Sequence, residues 1–100
     1  MRTMVTELKT VSEGRMTTAA RFVLLPTGTV EVVPGSASRE AIDGFIQDPL
    51  PSSYGDVTKS DGLAYLKALR ELYHGDYFWA TDPFEMDLHE ALAMGPEANS

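Results

Sequence analysis

The alternation of apolar and polar positions predicts a β-hairpin in the first third of the chain. Between residues 17 and 25, Ala20, Phe22 and Leu24 alternate with Arg21 and Val23, which is the period of a strand with two different faces. A Pro-Thr-Gly turn and a valine-rich segment follow at once. We therefore expect a hairpin over residues 18–33.

Two segments after the hairpin carry apolar residues at the spacing of a helix. Residues 37–47 form one apolar stripe, which predicts a short helix. Residues 59–74 form a wider apolar arc, which indicates a helix that covers the sheet. This second helix has a capping box of Thr58 and Asp61 at its start and Gly75 just after its end.

The last third of the chain predicts one strand and one helix. Residues 76–81 are aromatic and bounded by turn residues, and strand alternation sends Tyr77 and Trp79 to the same side. Residues 83–94 predict a helix, because Asp82 can serve as the N-cap before a proline and a glutamate.

These elements together predict an α+β fold. We expect a small single domain in which a β-hairpin and a third strand pack with three helices, in the order ββα, loop, αβα. The domain is assigned to residues 16–95, and residues 96–100 to a frayed tail. Residues 1–15 are predicted to be a flexible N-terminal leader, because their apolar residues are too sparse to define a packed face. The codons of the Glu-Gly pair before Met16 can resemble a ribosome-binding sequence, which makes Met16 a candidate start.

Composition removes several classes of chemistry. The chain has no cysteine, which excludes disulfides, thiolate metal sites and cysteine nucleophiles. Its apolar runs are far shorter than the roughly 20 residues that cross a bilayer, and its start lacks the pattern of a secretory signal. We expect a soluble cytoplasmic protein of bacterial or phage origin.

Charge is distributed unevenly along the chain. The net charge is −7, yet residues 1–70 are neutral, and residues 71–100 contain seven acidic residues and no lysine or arginine. A negative end disfavours phosphate backbones and anionic lipid and favours a basic partner.

The predicted C-terminal helix is the leading candidate for a partner-binding surface. Its outer face combines acidic and methionine side chains, and methionine is an adaptable contact residue. A solvated helix face is the alternative. Two further acidic residues are expected to steer association. The candidate residues are Met86, Asp87, Glu90 and Met94, with Asp76 and Asp82 as the steering pair.

Metal, cofactor and nucleophile sites have little support in the sequence. Glu85 and His89 have helical i, i+4 spacing beside Glu90, but a metal site needs three or four converging ligands. The serines at 36 and 38 lack the second glycine of a nucleophile elbow. We expect no metal and no cofactor.

Two sites for ligands of other kinds are also weak. A helix start near Arg39 could hold a phosphate, but one glycine is far from a phosphate-binding fingerprint. Tyr77, Phe78 and Trp79 could stack bases, but their sequence neighbours are acidic, which favours a packing role.

Our leading functional interpretation is a small, acidic, non-enzymatic binding or accessory protein. It would engage a protein partner with a basic or mixed surface through the acidic C-terminal helix, without contacting nucleic acid or membrane. Homo-oligomerisation stays open. One alternative is a phage-type acidic mimic of nucleic acid that inhibits a DNA-binding host protein. Another is a small enzyme or ligand-binding subunit that uses the loop at residues 48–56 as a lid.

Overall fold

Five antiparallel strands form one sheet in the computed structural model, which describes residues 1–37 and 57–93. The strand order is β3-β2-β1-β4, and β5 lies beside β1 on the same side as β4. A 3-10 helix at Lys59–Asp61 precedes α1. The strands are β1 (Arg2–Ser12), β2 (Arg15–Leu24), β3 (Val30–Pro34), β4 (Phe78–Ala80) and β5 (Phe84–Asp87), and the helices are α1 (Leu63–Leu72) and α2 (Leu88–Leu92).

The central strand β1 corrects our expectation of a flexible leader at residues 1–15. β1 pairs with β2 along one edge and with β5 and β4 along the other, and residues 5–8 are buried. The apolar residues of β1 are sparse for two physical reasons. Thr6 takes a fully buried position that an apolar residue would normally occupy. Glu7 and Lys9 form an ion pair, which offsets the cost of burying their charges. A chain that began at Met16 would therefore lack the middle of the sheet.

A two-residue turn joins β1 to β2. Ser12 pairs with Arg15, and the intervening Glu13 and Gly14 have φ angles of 53° and 75°. Positive φ at both central positions is what the type I′ turn requires, and its twist matches that of the flanking strands. The Glu-Gly pair is thus a hairpin turn between two threonine-rich strands.

The predicted hairpin at residues 18–33 is confirmed by the pairing of β2 with β3. The predicted alternation is confirmed as well: Phe22 packs in one apolar cluster and Val23 in another. A bulge lies where β2 pairs with β1, because Leu8 pairs with Ala20 while Lys9 pairs with Thr18. Ala19 is the extra residue, and it is buried beside Ala20.

The sheet has apolar clusters on both faces. On the first face, Tyr65, Leu66 and Leu69 of α1 pack against Leu8 and Phe22. On the second face, the fully buried Ala91 of α2 belongs to a smaller cluster of valines from β1, β2 and β3. α1 is the larger cover, as its wide apolar arc predicted.

The predicted helix at residues 59–74 is confirmed in its main part, with a break and an earlier end. The capping box of Thr58 and Asp61 is formed, but it caps the 3-10 helix. Gly62 then interrupts the helix with φ 57° and ψ −120°, and a Cβ there would lie 2.7 Å from the carbonyl oxygen of Gly28. α1 ends at Leu72, because His74 forms a β-bridge with Trp79.

The prediction of a continuous helix at residues 83–94 is wrong in its first half. Phe84–Asp87 is strand β5, which pairs with residues 2–5 of β1. The helix begins only after Asp87, whose side chain accepts a hydrogen bond from the Glu90 amide. Asp82 and Asp87 are both possible N-caps, and the unpaired edge of β1 favours strand formation between them.

The predicted strand at residues 76–81 is confirmed as β4. The predicted helix at residues 37–47 and the loop at 48–56 fall largely outside the described residues, as does the tail at 96–100. The result is a small compact α+β arrangement of a five-stranded antiparallel sheet with two α-helices in its described part. Within that part, no helix has the length and apolar character needed to cross a membrane.

Candidate binding surface on the open half of the sheet

Among the residues that the structure describes, the second face of the sheet divides into a covered half and an open half. α2 covers the half built around Val5 and Val23. The open half consists of two cross-strand rows, because residues directly opposite each other in antiparallel strands share a face. One row is Met16, Val11 and Tyr77, and the other is Thr18, Lys9 and Trp79.

Four side chains of these rows form an exposed apolar surface, which we call the open patch: Val11, Met16, Tyr77 and Trp79. Tyr77 is 72% exposed and Met16 is 62% exposed. Val11 and Trp79 are half-buried between their neighbours. Large apolar side chains are normally exposed singly, so two of them in one row of a rigid sheet form a distinctive surface.

The charges around the open patch have both signs. Lys9 lies in the same row as Trp79, and Arg15 stands at the start of β2, next to Met16. Asp76 is exposed beside Tyr77. His74 bridges to Trp79 from the other side, and its Nδ1 lies 2.8 Å from the carbonyl oxygen of Glu71.

A partly buried charge cluster separates the two halves of the face. The Glu7 carboxylate lies 2.9 Å from Lys9 Nζ and 2.8 Å from Arg21 Nε, and the three side chains are only 10–19% exposed. Arg21 also donates to the Ala91 carbonyl oxygen at 3.1 Å, which ties the sheet to the end of α2. Lys9 donates to Thr18 Oγ1 at 2.6 Å.

The strand register explains why this cluster forms. Glu7 pairs directly with Arg21, and Lys9 follows Glu7 by two residues on the same face. Burial raises the pKa of Glu7, but hydrogen bonds from Lys9 and Arg21 and their positive charges outweigh it, so the pKa lies below its ordinary value of 4.5. The carboxylate is therefore charged at neutral pH, and it offsets one of the two positive charges of Lys9 and Arg21.

The residues predicted to form a partner-binding helix face are not all on a helix in the described part of the chain, and their role in binding stays a prediction. Met86 is in β5, half-buried against the valine cluster of the second face. Asp87 is the N-cap of α2, and only Glu90 lies on the helix itself. Met94 is outside the described residues. Met86 therefore does not share a helix face with Glu90, because a strand and a helix place successive side chains at different angular intervals.

Several acidic residues of the C-terminal third have a cation within reach. Asp82 lies 3.2 Å from Arg70, and Glu85 lies 3.3 Å from Arg2. The Asp87 carboxylate accepts from the Glu90 amide and lies 3.3 Å from the Met1 ammonium group, and these interactions lower its pKa. The acidic excess of the sequence is therefore partly neutralised by residues from the first 70 positions.

The helical spacing that made Glu85 and His89 a candidate metal pair is also absent. Glu85 lies in β5 and His89 lies in α2. Across residues 1–37 and 57–93, no three acidic or histidine side chains come together in a way that could hold a metal ion.

The aromatic strand shows what sequence reasoning found and what it missed. Tyr77 is exposed on the second face, while Phe78 packs against Tyr73 in the core, with ring centroids 5.5 Å apart. The predicted alternation is thus confirmed. The acidic sequence neighbours predicted negative surroundings for these aromatic residues. Strand pairing instead places Lys9 of β1, 70 positions earlier in the chain, beside Trp79. A prediction of β1 as a strand would have been needed to place Lys9 beside Trp79.

Comparison with known proteins adds no relative: no family model matches the chain, and neither the curated proteins nor the solved structures yield a significant match. The functional argument therefore depends on this chain's own residues.

Proposed function

We propose that this protein is a non-enzymatic binding or accessory protein, and that it engages a protein partner through the open patch. The observation that carries the proposal is the exposure of Tyr77 and Met16 on either side of Val11, in a row next to Trp79. Burying this apolar surface against a partner would stabilise a complex by roughly 25 cal/mol per Å² before the costs of association.

The residue types of the patch favour a protein as the partner. Tyrosine, tryptophan, methionine and arginine are enriched in protein interfaces, and tyrosine, tryptophan and arginine are enriched among the residues that dominate binding energy. Trp79 lies on the hydrogen-bonded strand β4, and the Tyr77 carbonyl oxygen, just before that strand, accepts from the Val11 amide, so little backbone freedom is lost on binding. Lys9, Arg15 and Asp76 provide a rim of both charges, which fits a partner with a mixed surface.

The acidic mimic of nucleic acid is less well supported. Mimicry needs a run of unpaired carboxylates, whereas Asp82, Glu85 and Asp87 each have a cation at 3.2–3.3 Å. The acidic C-terminal site stays a prediction, and it serves as the competing site in the experiment.

The test compares three variants of the full chain in affinity capture from the source cells, quantified by mass spectrometry. Met16→Ser with Tyr77→Ser removes most of the exposed apolar area of the patch. Leu92→Ser is the matched control, because Leu92 is an exposed apolar residue of α2, which covers the other half of the face. Asp87→Lys with Glu90→Lys reverses the charge of the competing acidic site.

The proposal expects one protein to be retained by the wild type and by Leu92→Ser, and to bind the double serine variant at least about 30-fold more weakly. Purified partner and isothermal titration give this ratio. Capture that survives the serine changes but is lost on charge reversal would contradict the open patch and favour the acidic end. A dimer of this chain that the serine changes dissociate would make a second copy the occupant and would also contradict the proposal.

A further inference from the structure

A polar cavity lies at the outer edge of β2, and it shares Met16 with the open patch and Lys9 and Arg15 with the rim of that patch. β3 ends at Pro34, opposite Ala20, and the Ser36 amide then donates to the Thr18 carbonyl oxygen. The cavity left beside the first residues of β2 has a volume of about 340 Å³. It is lined by Lys9, Arg15, Met16, Thr17, Thr18 and Ser36.

The lining residues supply positive charge to this cavity. Glu7 is shared by Lys9 and Arg21, so the buried cluster of these three residues carries one net positive charge. Arg21 donates to the carbonyl oxygens of Glu90 and Ala91 at the end of α2, whereas Lys9 is the cation of this cluster that lines the cavity. Arg15 adds a second, exposed cation. A cavity with this charge is unexpected in a chain of net charge −7.

Hydrogen-bond donors are available in the same place. The Lys9 ammonium group has three donors, of which Glu7 and Thr18 account for two. Because the Thr18 hydroxyl accepts from Lys9, its own hydrogen is free to be donated. The hydroxyls of Thr17 and Ser36 and the planar guanidinium of Arg15 complete a set that suits an oxyanion.

We propose that this cavity binds an oxyanion carried by a small molecule, either a phosphomonoester or a carboxylate. The volume is near the lower end of the range for small-molecule sites, and its polar lining selects a charged ligand over an apolar one. Binding of a small anion does not require a protein partner on the open patch, so the two proposals succeed or fail separately.

Nuclear magnetic resonance titration of the full chain tests the site, with inorganic phosphate in one arm and succinate in the other. Ionic strength is held constant with sodium chloride. We expect the amide resonances of Thr17, Thr18 and Ser36 to shift saturably in at least one arm. The arm with the lower Kd identifies the ligand as phosphate-bearing or carboxylate-bearing.

Arg15→Gln provides the decisive variant, because Arg15 is exposed and its loss leaves the buried cluster intact. It should weaken binding about tenfold. Arg2→Gln is the matched control, since it removes the same charge from the exposed start of β1 and should leave the Kd unchanged. Shifts that do not saturate in either arm, or equal effects of the two variants, would overturn the proposal. Equal thermal stability of the variants shows that both remain folded.

Discussion

Replacing Glu7 with glutamine removes the carboxylate that holds Lys9 and Arg21 together in the sheet. Glutamine has nearly the same shape, but it replaces the two charged oxygens that accept from Lys9 and Arg21, at 2.9 and 2.8 Å, with one uncharged amide oxygen. A hydrogen bond to a charged group is worth about 1.5–3 kcal/mol, and breaking a buried ion pair costs about 3–5 kcal/mol. Since the side chains retain 10–19% exposure, we expect a loss of about 3 kcal/mol in the free energy of unfolding.

The pH dependence follows from the lowered pKa of Glu7. A carboxyl group whose pKa is lower in the folded state contributes its full stabilisation above its unfolded pKa, whose ordinary value is 4.5. That stabilisation is lost as the pH falls through the folded pKa. The difference between the wild type and Glu7→Gln should therefore be constant at neutral pH and should shrink below pH 4.5.

Urea denaturation followed by the fluorescence of Trp79, the single tryptophan, measures this difference. At neutral pH the melting temperature should also fall, by about 12 °C or more. Glu31→Gln is the matched control, because Glu31 is an exposed residue of β3 in the same sheet, and it should change stability by less than about 0.5 kcal/mol. A Glu7→Gln protein as stable as this control at pH 7, or a difference that persists unchanged at pH 3, would refute the reasoning.

Three further predictions concern the backbone, and urea midpoints measure each. Deletion of residues 1–15 removes β1 and should abolish the cooperative unfolding transition; a cooperative transition in the shortened chain would contradict the central position of this strand. Glu13→Asn should stabilise by about 0.5–1 kcal/mol, because asparagine tolerates positive φ better than glutamate; no gain would argue against the turn geometry. Gly62→Ala should cost about 3 kcal/mol or more, since its Cβ would lie 2.7 Å from the Gly28 carbonyl oxygen. Gly14→Ala, with positive φ and open space, should cost only about 1 kcal/mol, and equal costs would show that the close approach is unimportant.

Local signals were sufficient where sequence neighbours decide the structure. The hairpin of β2 and β3 follows from alternation and a Pro-Thr-Gly turn, and the capping box of Thr58 and Asp61 involves residues only three apart. The opposite sides of Phe78, the first residue of β4, and of Tyr77, just before it, follow from extended-chain geometry alone.

Long-range pairing decided the rest, and this is where sequence reasoning failed. The segment at residues 84–87 satisfies the start signals of a helix, yet it is a strand because residues 2–5 of β1 hydrogen-bond with it. β1 in turn looked too polar for a core strand, because Arg21, which pairs with Glu7 beside Lys9, comes from β2. Neither relation is visible in a window of neighbouring residues.

By itself, the sequence determined the amphipathic periods, the turns and caps, the absence of cysteine and the acidic excess after residue 70. Only the tertiary structure decided which segments pair and which side chains come together. Antiparallel pairing with β1 brought Lys9 beside Trp79, gave Arg2 and Arg70 acidic partners, and left one half of the second sheet face open. The physical reason is that local propensity determines only the apolar and polar faces of each single strand or helix. Backbone hydrogen bonds between distant segments then determine which side chains share a face of the sheet.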